Sequence, residues 1–380
     1  MFKITNETCP TDSSKQYART GIMETNHGRV ETPAFMPVAT KGYVKTVTPE
    51  ELKDLGTSVI IANSFLLYLR PSLDVIKKSG GLHKFMNWDN AIFTDSGGFQ
   101  MIRPDFYAQV DDRGITFRSP FDGEKHLFTP EKCIETQMNL GIDVAMMLDH
   151  CPEFGSPIDS VKSATENTTA WASRSLDRLT ELREAAGNNL LQLFGIVQGG
   201  IDQKLRKWSA STITRLAFDG FAIGGLSIGE PKDKMYEVLV GQVPLLPVDK
   251  PRYLMGVGSP EDILESVALG IDIFDSVFPT RNARHGTIHT TKGNININRA
   301  PYSAQLSELD DDCGCYTCKS GFSRAYINHL LRNYSILGMR LATIHNLYFI
   351  QNLVRIAKER IKDGTFFEFK KDFLQKFNSK

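Results

Sequence analysis

Residues 253–276 read YLMGVGSPEDILESVALGIDIFDS. An apolar run opens the segment. Ser259-Pro260-Glu261-Asp262 follows, with a capping hydroxyl, proline at the first helical position, and acids where the helix dipole favours them. Ile263 with Val267 and Leu264 with Ala268 give an i,i+4 apolar face. Gly270 stands where a helix ends, and IDIFDS returns to a buried-strand pattern. The segment is a strand, a helix packed back on it, and a second strand.

The same rhythm runs toward the N-terminus through TPAFMPVA (32–39), SVIIAN (58–63), AIFTDSGG (91–98), DVAMMLD (143–149), LFGIVQGG (193–200) and FAIGGLS (221–227). Helix punctuation recurs at Thr48-Pro49-Glu50-Glu51 and Thr129-Pro130-Glu131, with Gly141 closing a helix. Eight strand candidates alternating with helices predict an α/β fold, a (β/α)8 TIM barrel, with a doubly wound open sheet as the competing arrangement. GITFRSPFDGEKHLF (114–128) reads as an inserted hairpin. The rhythm stops near residue 285 and a helical stripe resumes with Leu347, Ile350, Val354, Ala357 and Ile361. The expected division is a catalytic barrel over 1–284, a small metal-binding module that contacts nucleic acid over 285–345, and the last barrel helix with a basic tail over 346–380.

Composition excludes several classes. With 380 residues, 41% of them hydrophobic, and 44 Lys+Arg balanced by 44 Asp+Glu, the chain is neither disordered, collagen-like nor a coiled coil. No apolar run is long enough to span a membrane, and the polar start MFKITNETCPTDSSKQYAR lacks the apolar core of a secretory signal. The expectation is a cytoplasmic protein with no membrane partner, whose six cysteines serve metals or chemistry more than disulfides. Zero net charge means that a nucleic-acid partner needs a local basic surface. One exists: residues 276–307 carry Arg281, Arg284, Lys292 and Arg299 and no acid, and residues 313–380 carry twelve Lys/Arg against four Asp/Glu.

Cys313-Gly-Cys315-Tyr-Thr-Cys318 places three thiols within six residues, a spacing at which they can face one ion. A closed tetrahedral site needs a fourth ligand, and His329 and His345 are the candidates. His345 is favoured because it lies about 200° around the helix from Leu347 and so points away from the apolar stripe. Such a zinc is structural, since a fully liganded ion has no open position.

Three strand ends carry acids: Asp95 in TDSGG, Asp149 in MLDHC and Asp275 in FDSVFP. Barrel strands deliver their C-terminal ends to one mouth, and two carboxylates at one sugar carbon are the pattern of glycosidic chemistry. Gly97-Gly98 and Gly224-Gly225 leave backbone amides open to a flat ligand, and Gln198 offers the donor and acceptor that a base edge needs.

TDSGGFQ, the Asp149-x-Cys151 of LDHC, GIVQGG, IGGLSIGE, YLMGVG, FDSVFPTRNARHG, CGCYTC and TIHN, in this order along nearly the whole chain, resemble the tRNA-guanine transglycosylase family. The resemblance implies exchange of a guanine in tRNA for a 7-deazaguanine through a covalent enzyme–RNA intermediate, in queuosine biosynthesis. It implies Asp275 as nucleophile and Asp95 as proton donor, then acceptor. Asp149, Gln198, Gly225 and the Leu226 backbone would hold the base edge, Phe99 and Met255 would sandwich the ring, and Glu230 would support the Leu226 peptide. Arg281 and Arg284 would grip the anticodon backbone of a tRNA with guanine at the wobble position. Cys313, Cys315, Cys318 and His345 would bind one structural Zn2+ per subunit of a homodimer, in a tRNA-contacting module. Cys151 looks like the bacterial form, whose incoming base is 7-aminomethyl-7-deazaguanine, with queuine as the other candidate. Some positions depart from the family pattern: Leu66 stands where the family usually has His, Ser72 where it has Gly, His150 makes DHC of the more usual Asp-Glu-Cys, and one residue is inserted after Cys318.

Overall fold

The computed structural model describes residues 2–10, 16–101, 106, 108–186 and 191–379. Eight parallel strands carry the architecture, numbered here from the first barrel strand: β1 Ala34–Pro37, β2 Val59–Asn63, β3 Ala91–Asp95, β4 Val144–Met146, β5 Gln192–Val197, β6 Gly220–Ile223, β7 Arg252–Leu254 and β8 Ile273–Ser276. Each pairs with its sequence neighbour, and β8 pairs back onto β1. Ala39 N donates to Ile61 O at 2.7 Å beside a parallel bridge between Val38 and Ile61, which joins β1 to β2 and closes the ring. The eight segments singled out above are the eight barrel strands, and the open-sheet alternative is excluded. Every residue of β1 and β2 is buried, as expected of parallel strands covered on both faces.

The helix punctuation acts as its chemistry dictates. Thr48 and Glu51 form a reciprocal capping box, and the Thr129 and Ser259 side chains accept from the backbone amides of Lys132 and Asp262. The inserted hairpin is present as Gly114–Arg118 and Lys125–Phe128, extended by a third antiparallel strand, Gln109–Asp111.

An antiparallel sheet of Phe2–Thr8, Ala18–Thr25 and Gly28–Thr32 precedes the barrel, an element absent from the sequence expectation. It is tied to the N-terminal ends of barrel strands. Arg19 makes a buried two-pronged ion pair with Asp272, just before β8, and His27 meets Asp143, just before β4. The sheet therefore lies across the barrel floor, opposite the strand ends that carry Asp95 and Asp275.

Beyond the barrel, a two-stranded ribbon (Thr287–Ile288 with Ile295–Asn296) and the helices Tyr316–Lys319 and Arg324–Arg332 build a small module. Its own apolar core includes Ile288, Ile297, Leu309, Ile327 and Leu341. One continuous helix, Ile336–Lys362, then runs from that core into the barrel, burying Leu347, Ile350, Val354, Ala357 and Ile361 on the way. The module and the barrel thus share a helix across residue 345. No described helix is long and apolar enough to cross a membrane.

Candidate functional site

Asp95 ends β3 and Asp275 lies in β8, so the closed ring aims both at the same mouth. They line one cavity of about 190 Å³, together with Gly97, Gly98, Phe99, Asp149, Cys151, Gly225, Leu226, Tyr253, Met255 and Gly256. A groove of about 1,030 Å³ elsewhere, between the small module and the C-terminal helices, contains neither carboxylate, so the chemistry belongs to the smaller cavity.

The two acids are set up differently. Asp275 Oδ1 accepts from Tyr253 Oη at 2.5 Å and from the Gly256 amide at 2.8 Å. Burial raises its pKa, and these two donors oppose the rise. Asp95 Oδ2 has one long contact, from Gln100 Nε2 at 3.4 Å, while its buried Oδ1 has no hydrogen-bond partner. Burial first, then the negative charges of Asp275 and Asp149, push its pKa up to about 8, with Asn63 and Gln100 pulling the other way. Asp95 therefore holds a proton at neutral pH. Burial raises both carboxyls, but only Asp275 has two close donors to oppose it, and unlike environments of this kind are how acid and nucleophile roles are separated.

Asp149 is buried between Ser96 Oγ (2.9 Å to Oδ1) and Gln198 Nε2 (2.8 Å to Oδ2). Gln198 is itself buried behind Asp149 and does not line the cavity of the carboxylates. The four glycines also differ from the sequence expectation of open amides. A Cβ at Gly97 would meet Phe65, at Gly98 the Asp149 carbonyl, and at Gly224 or Gly225 the Gln198 amide, so they admit close packing behind the cavity as well as lining it. The Glu230 carboxylate accepts from the Ser227 and Ile228 amides, which fixes the Leu226–Ser227 peptide at the rim. Burial pushes the Cys151 thiol up to about 12, so it is a neutral wall group.

Residues with no sequence signal complete the site. Tyr253 sits within a strand and reads as core until its hydroxyl is seen on Asp275. Buried Arg206, in the first turn of the helix Gln203–Ile213, donates to the carbonyls of Val197, Gly200 and Gly224 and so clamps the loops that carry Gln198 and Gly225.

Beside the mouth, Arg281 and Arg284 share a groove of about 420 Å³ with Lys41, Tyr43, Lys45 and His285, and no acid lines it. Arg284 Nη1 donates to Thr280 O at 2.7 Å, and burial and the Arg281 charge lower its pKa. Adjacent cations without a counter-charge suit a polyanion.

In the small module, His345 Nδ1 lies 3.7, 3.4 and 3.5 Å from the sulfurs of Cys313, Cys315 and Cys318. Bonds of about 2.3 Å to sulfur and about 2.0 Å to nitrogen at a tetrahedral ion imply N···S edges of about 3.5 Å. His345 Nε2–H donates to the His289 carbonyl at 2.8 Å, which leaves the Nδ1 lone pair aimed at the sulfurs. The four groups fit a metal ion. His329 is exposed on the helix Arg324–Arg332 and is absent from this cluster.

Residues 12–379 match the sequence profile of the family described as queuine tRNA-ribosyltransferase. A queuine tRNA-ribosyltransferase of Thermoanaerobacter sp. (strain X514) is 50% identical over 368 residues, 97% of this chain and 96% of that protein. Those of Caldanaerobacter subterraneus subsp. tengcongensis and Pelotomaculum thermopropionicum are each 50% identical, over 361 and 360 residues, 95% of this chain and 94% and 95% of theirs.

Proposed function

The chain belongs to the queuine tRNA-ribosyltransferase family, and from that premise we propose how its own residues carry the reaction. The protein is a pentosyltransferase that exchanges guanine in tRNA for a 7-deazaguanine-type base in queuosine biosynthesis. In our reading the target is the wobble guanine. Asp275 Oδ2, the oxygen not engaged by Tyr253 and Gly256, attacks the ribose C1′. The C1′–N bond to guanine breaks, and Asp95 gives its proton to the departing base. The incoming base then loses the proton of its glycosidic nitrogen to Asp95 and attacks C1′, expelling Asp275. Two displacements at one carbon give retention.

Asp149 would accept from the donor edge of the guanine-type ring, with Gln198 and Ser96 holding the carboxylate still. Gly225 and the Leu226 peptide, braced by Glu230, would complete that edge, and Phe99 and Met255 would cover the ring faces. Arg281 and Arg284 would hold the RNA backbone while the nucleotide leaves its stack. Cys313, Cys315, Cys318 and His345 would hold one structural zinc per chain, which supplies folding energy to the module and no chemistry. A tRNA substrate supports our reading of a cytoplasmic enzyme. We also carry the homodimer as a proposal, supported by exposed Tyr316, Tyr334, Ile336 and Leu337 on the module. In our reading the likeness of Cys151 to the bacterial form supports 7-aminomethyl-7-deazaguanine as the incoming base, with queuine as the other candidate.

The observation that carries the reading is that two acids, 180 residues apart in sequence, line one cavity with opposed hydrogen-bond environments. The test is to trap the enzyme on RNA with a wobble guanine. A denaturation-resistant adduct is expected with the unmodified protein and none with Asp275→Asn; an adduct that persists in the variant moves the nucleophile elsewhere. Release of labelled guanine by a panel of deazaguanines then ranks the incoming base.

A further inference from the structure

Behind the cavity of the carboxylates, Arg206 is fully buried, and among the described residues its guanidinium donates to three backbone carbonyls and to no carboxylate. We propose that Arg206 is a positioning residue that aims the Gly225 amide at the 6-oxo group of a guanine-type base, so that the pocket selects bases with an oxygen acceptor at that position. This role rests on the exchange reaction proposed above and specifies its base.

Asp202 caps the helix Gln203–Ile213, and the Arg206 amide donates to Asp202 O at 3.0 Å, which fixes the side chain's point of departure. Nη1 reaches Val197 O at the end of β5 (3.1 Å), Nε reaches Gly200 O (2.7 Å), and Nη2 reaches Gly224 O just past β6 (2.8 Å). The Gly224 amide also donates to Val197 O, at 3.1 Å, so the guanidinium and the two strand ends form one hydrogen-bonded unit. A trans peptide holds its C=O and N–H on opposite sides, and the Gly224–Gly225 bond is trans. With Gly224 O drawn toward Arg206, the Gly225 N–H points the other way. Cys151 shows where that is: the thiol lines the cavity with Asp149, and although burial raises its pKa, the Gly225 amide is one of the groups that oppose the rise.

The edge of a guanine-type ring presents two donors, N1–H and the 2-amino group, and one acceptor, O6. Asp149, which accepts from the donors in the reading above, leaves O6 in need of an N–H, and the Gly225 amide stands in the same cavity. Burial lowers the Arg206 pKa to about 10, so at neutral pH the side chain is a cation. A cation on a carbonyl oxygen polarises the peptide and makes its N–H a stronger donor. Fixed before the base arrives, that donor needs no reorganisation. A neutral donor could satisfy the same carbonyls without the cost of burying a charge, so the charge itself is the feature that the polarised amide explains. The Cys151 sulfur is a weak acceptor, and an oxygen at position 6 displaces it with a gain.

The probes are guanine and 6-thioguanine, which keeps N1–H and the 2-amino group and puts a weakly accepting sulfur in place of O6. KM comes from incorporation of labelled guanine into tRNA with a wobble guanine, and Ki from competition by 6-thioguanine. The wild type is expected to favour guanine by about tenfold. Arg206→Lys keeps the charge without the three-pronged fork, and Arg206→Met keeps neither. Each is expected to raise KM for guanine by about tenfold while Ki for 6-thioguanine moves less than about threefold, so the preference collapses. A merely structural role would weaken both bases alike, and an unchanged preference in a variant with a cooperative melting curve overturns the proposal. Where a variant does not fold, the wild type decides: a tenfold preference supports the aimed donor, and equal affinity for the two bases overturns it. A wild type that incorporates no guanine at all sinks the exchange reaction and this role with it, whereas equal losses in the variants sink the role of Arg206 alone.

Discussion

Asp95 concentrates the conflict between stability and chemistry in one side chain. Its folded pKa of about 8 lies above that of a free carboxyl, so between about pH 4 and pH 8 the folded chain keeps a proton that the unfolded chain has lost. The stability this provides is fully present below about pH 4 and disappears as pH rises through 8. Asp95→Asn, which can never ionise, should therefore be more stable than wild type at pH 8 by about 1 kcal/mol or more, while base exchange falls by about 10²–10⁴-fold. Denaturant titrations at pH 5 and pH 8 check the first statement, because the gain must grow with pH. Wild-type exchange should decline as pH passes 8, where the proton donor is lost. Ser72 offers a second case at this scale. It sits at φ +94°, ψ 157°, a region that glycine enters freely and serine does not. Ser72→Gly should raise stability by about 1–3 kcal/mol in the same titration, with exchange kinetics unaltered.

Among the elements, the short helix Phe278–Arg284 carries the most direct link from charge to function, because it follows the strand of Asp275 within two residues. Arg281 is exposed on it and Arg284 is held by Thr280, so the pair forms a fixed cationic rim near the proposed nucleophile. Replacing both by Gln should weaken tRNA binding and reduce the slope of log K against log salt by about 1 per lost phosphate contact, leaving the melting curve alone. An unchanged slope would make this helix an ordinary solvated surface. The helix was readable as basic from FDSVFPTRNARHG, but its partners Lys41, Tyr43 and Lys45 were not, since only barrel closure brings the end of β1 beside the end of β8.

At the scale of the whole molecule, two of the three apolar cores among the described residues are joined by the helix Ile336–Lys362. The larger core is closed by a ring of hydrogen bonds; the smaller one packs Cys315 and Cys318 among its apolar residues and is too small to be secure alone. Chelation should accordingly abolish hydrogen-exchange protection in the helix Arg324–Arg332 and the ribbon at residues 287–296, while β2, β3 and β5 stay protected. Uniform loss across both cores, or no loss in the module, would contradict this division of labour.

Strands, caps and the cysteine spacing are local codes, since alternation of apolar runs, a Ser-Pro-acid start and a Cys-x-x-Cys interval each act over a few residues. All eight barrel strands and the His345 position beside the thiols were therefore legible in the chain. Position in space is a different matter, because it depends on closure of the ring. The sequence placed Gln198 on the base edge and read Gly97, Gly98, Gly224 and Gly225 as open amides; the fold buries Gln198 behind Asp149 and uses the glycines also to let loops pack closely. It gave no signal for Tyr253 on Asp275, for Arg206 under the loops, or for a floor sheet whose His27 meets Asp143 from 116 residues away. Which acids exist at the mouth was written in the order of residues. Which of them keeps its proton was decided by burial and by neighbours that only the assembled barrel supplies.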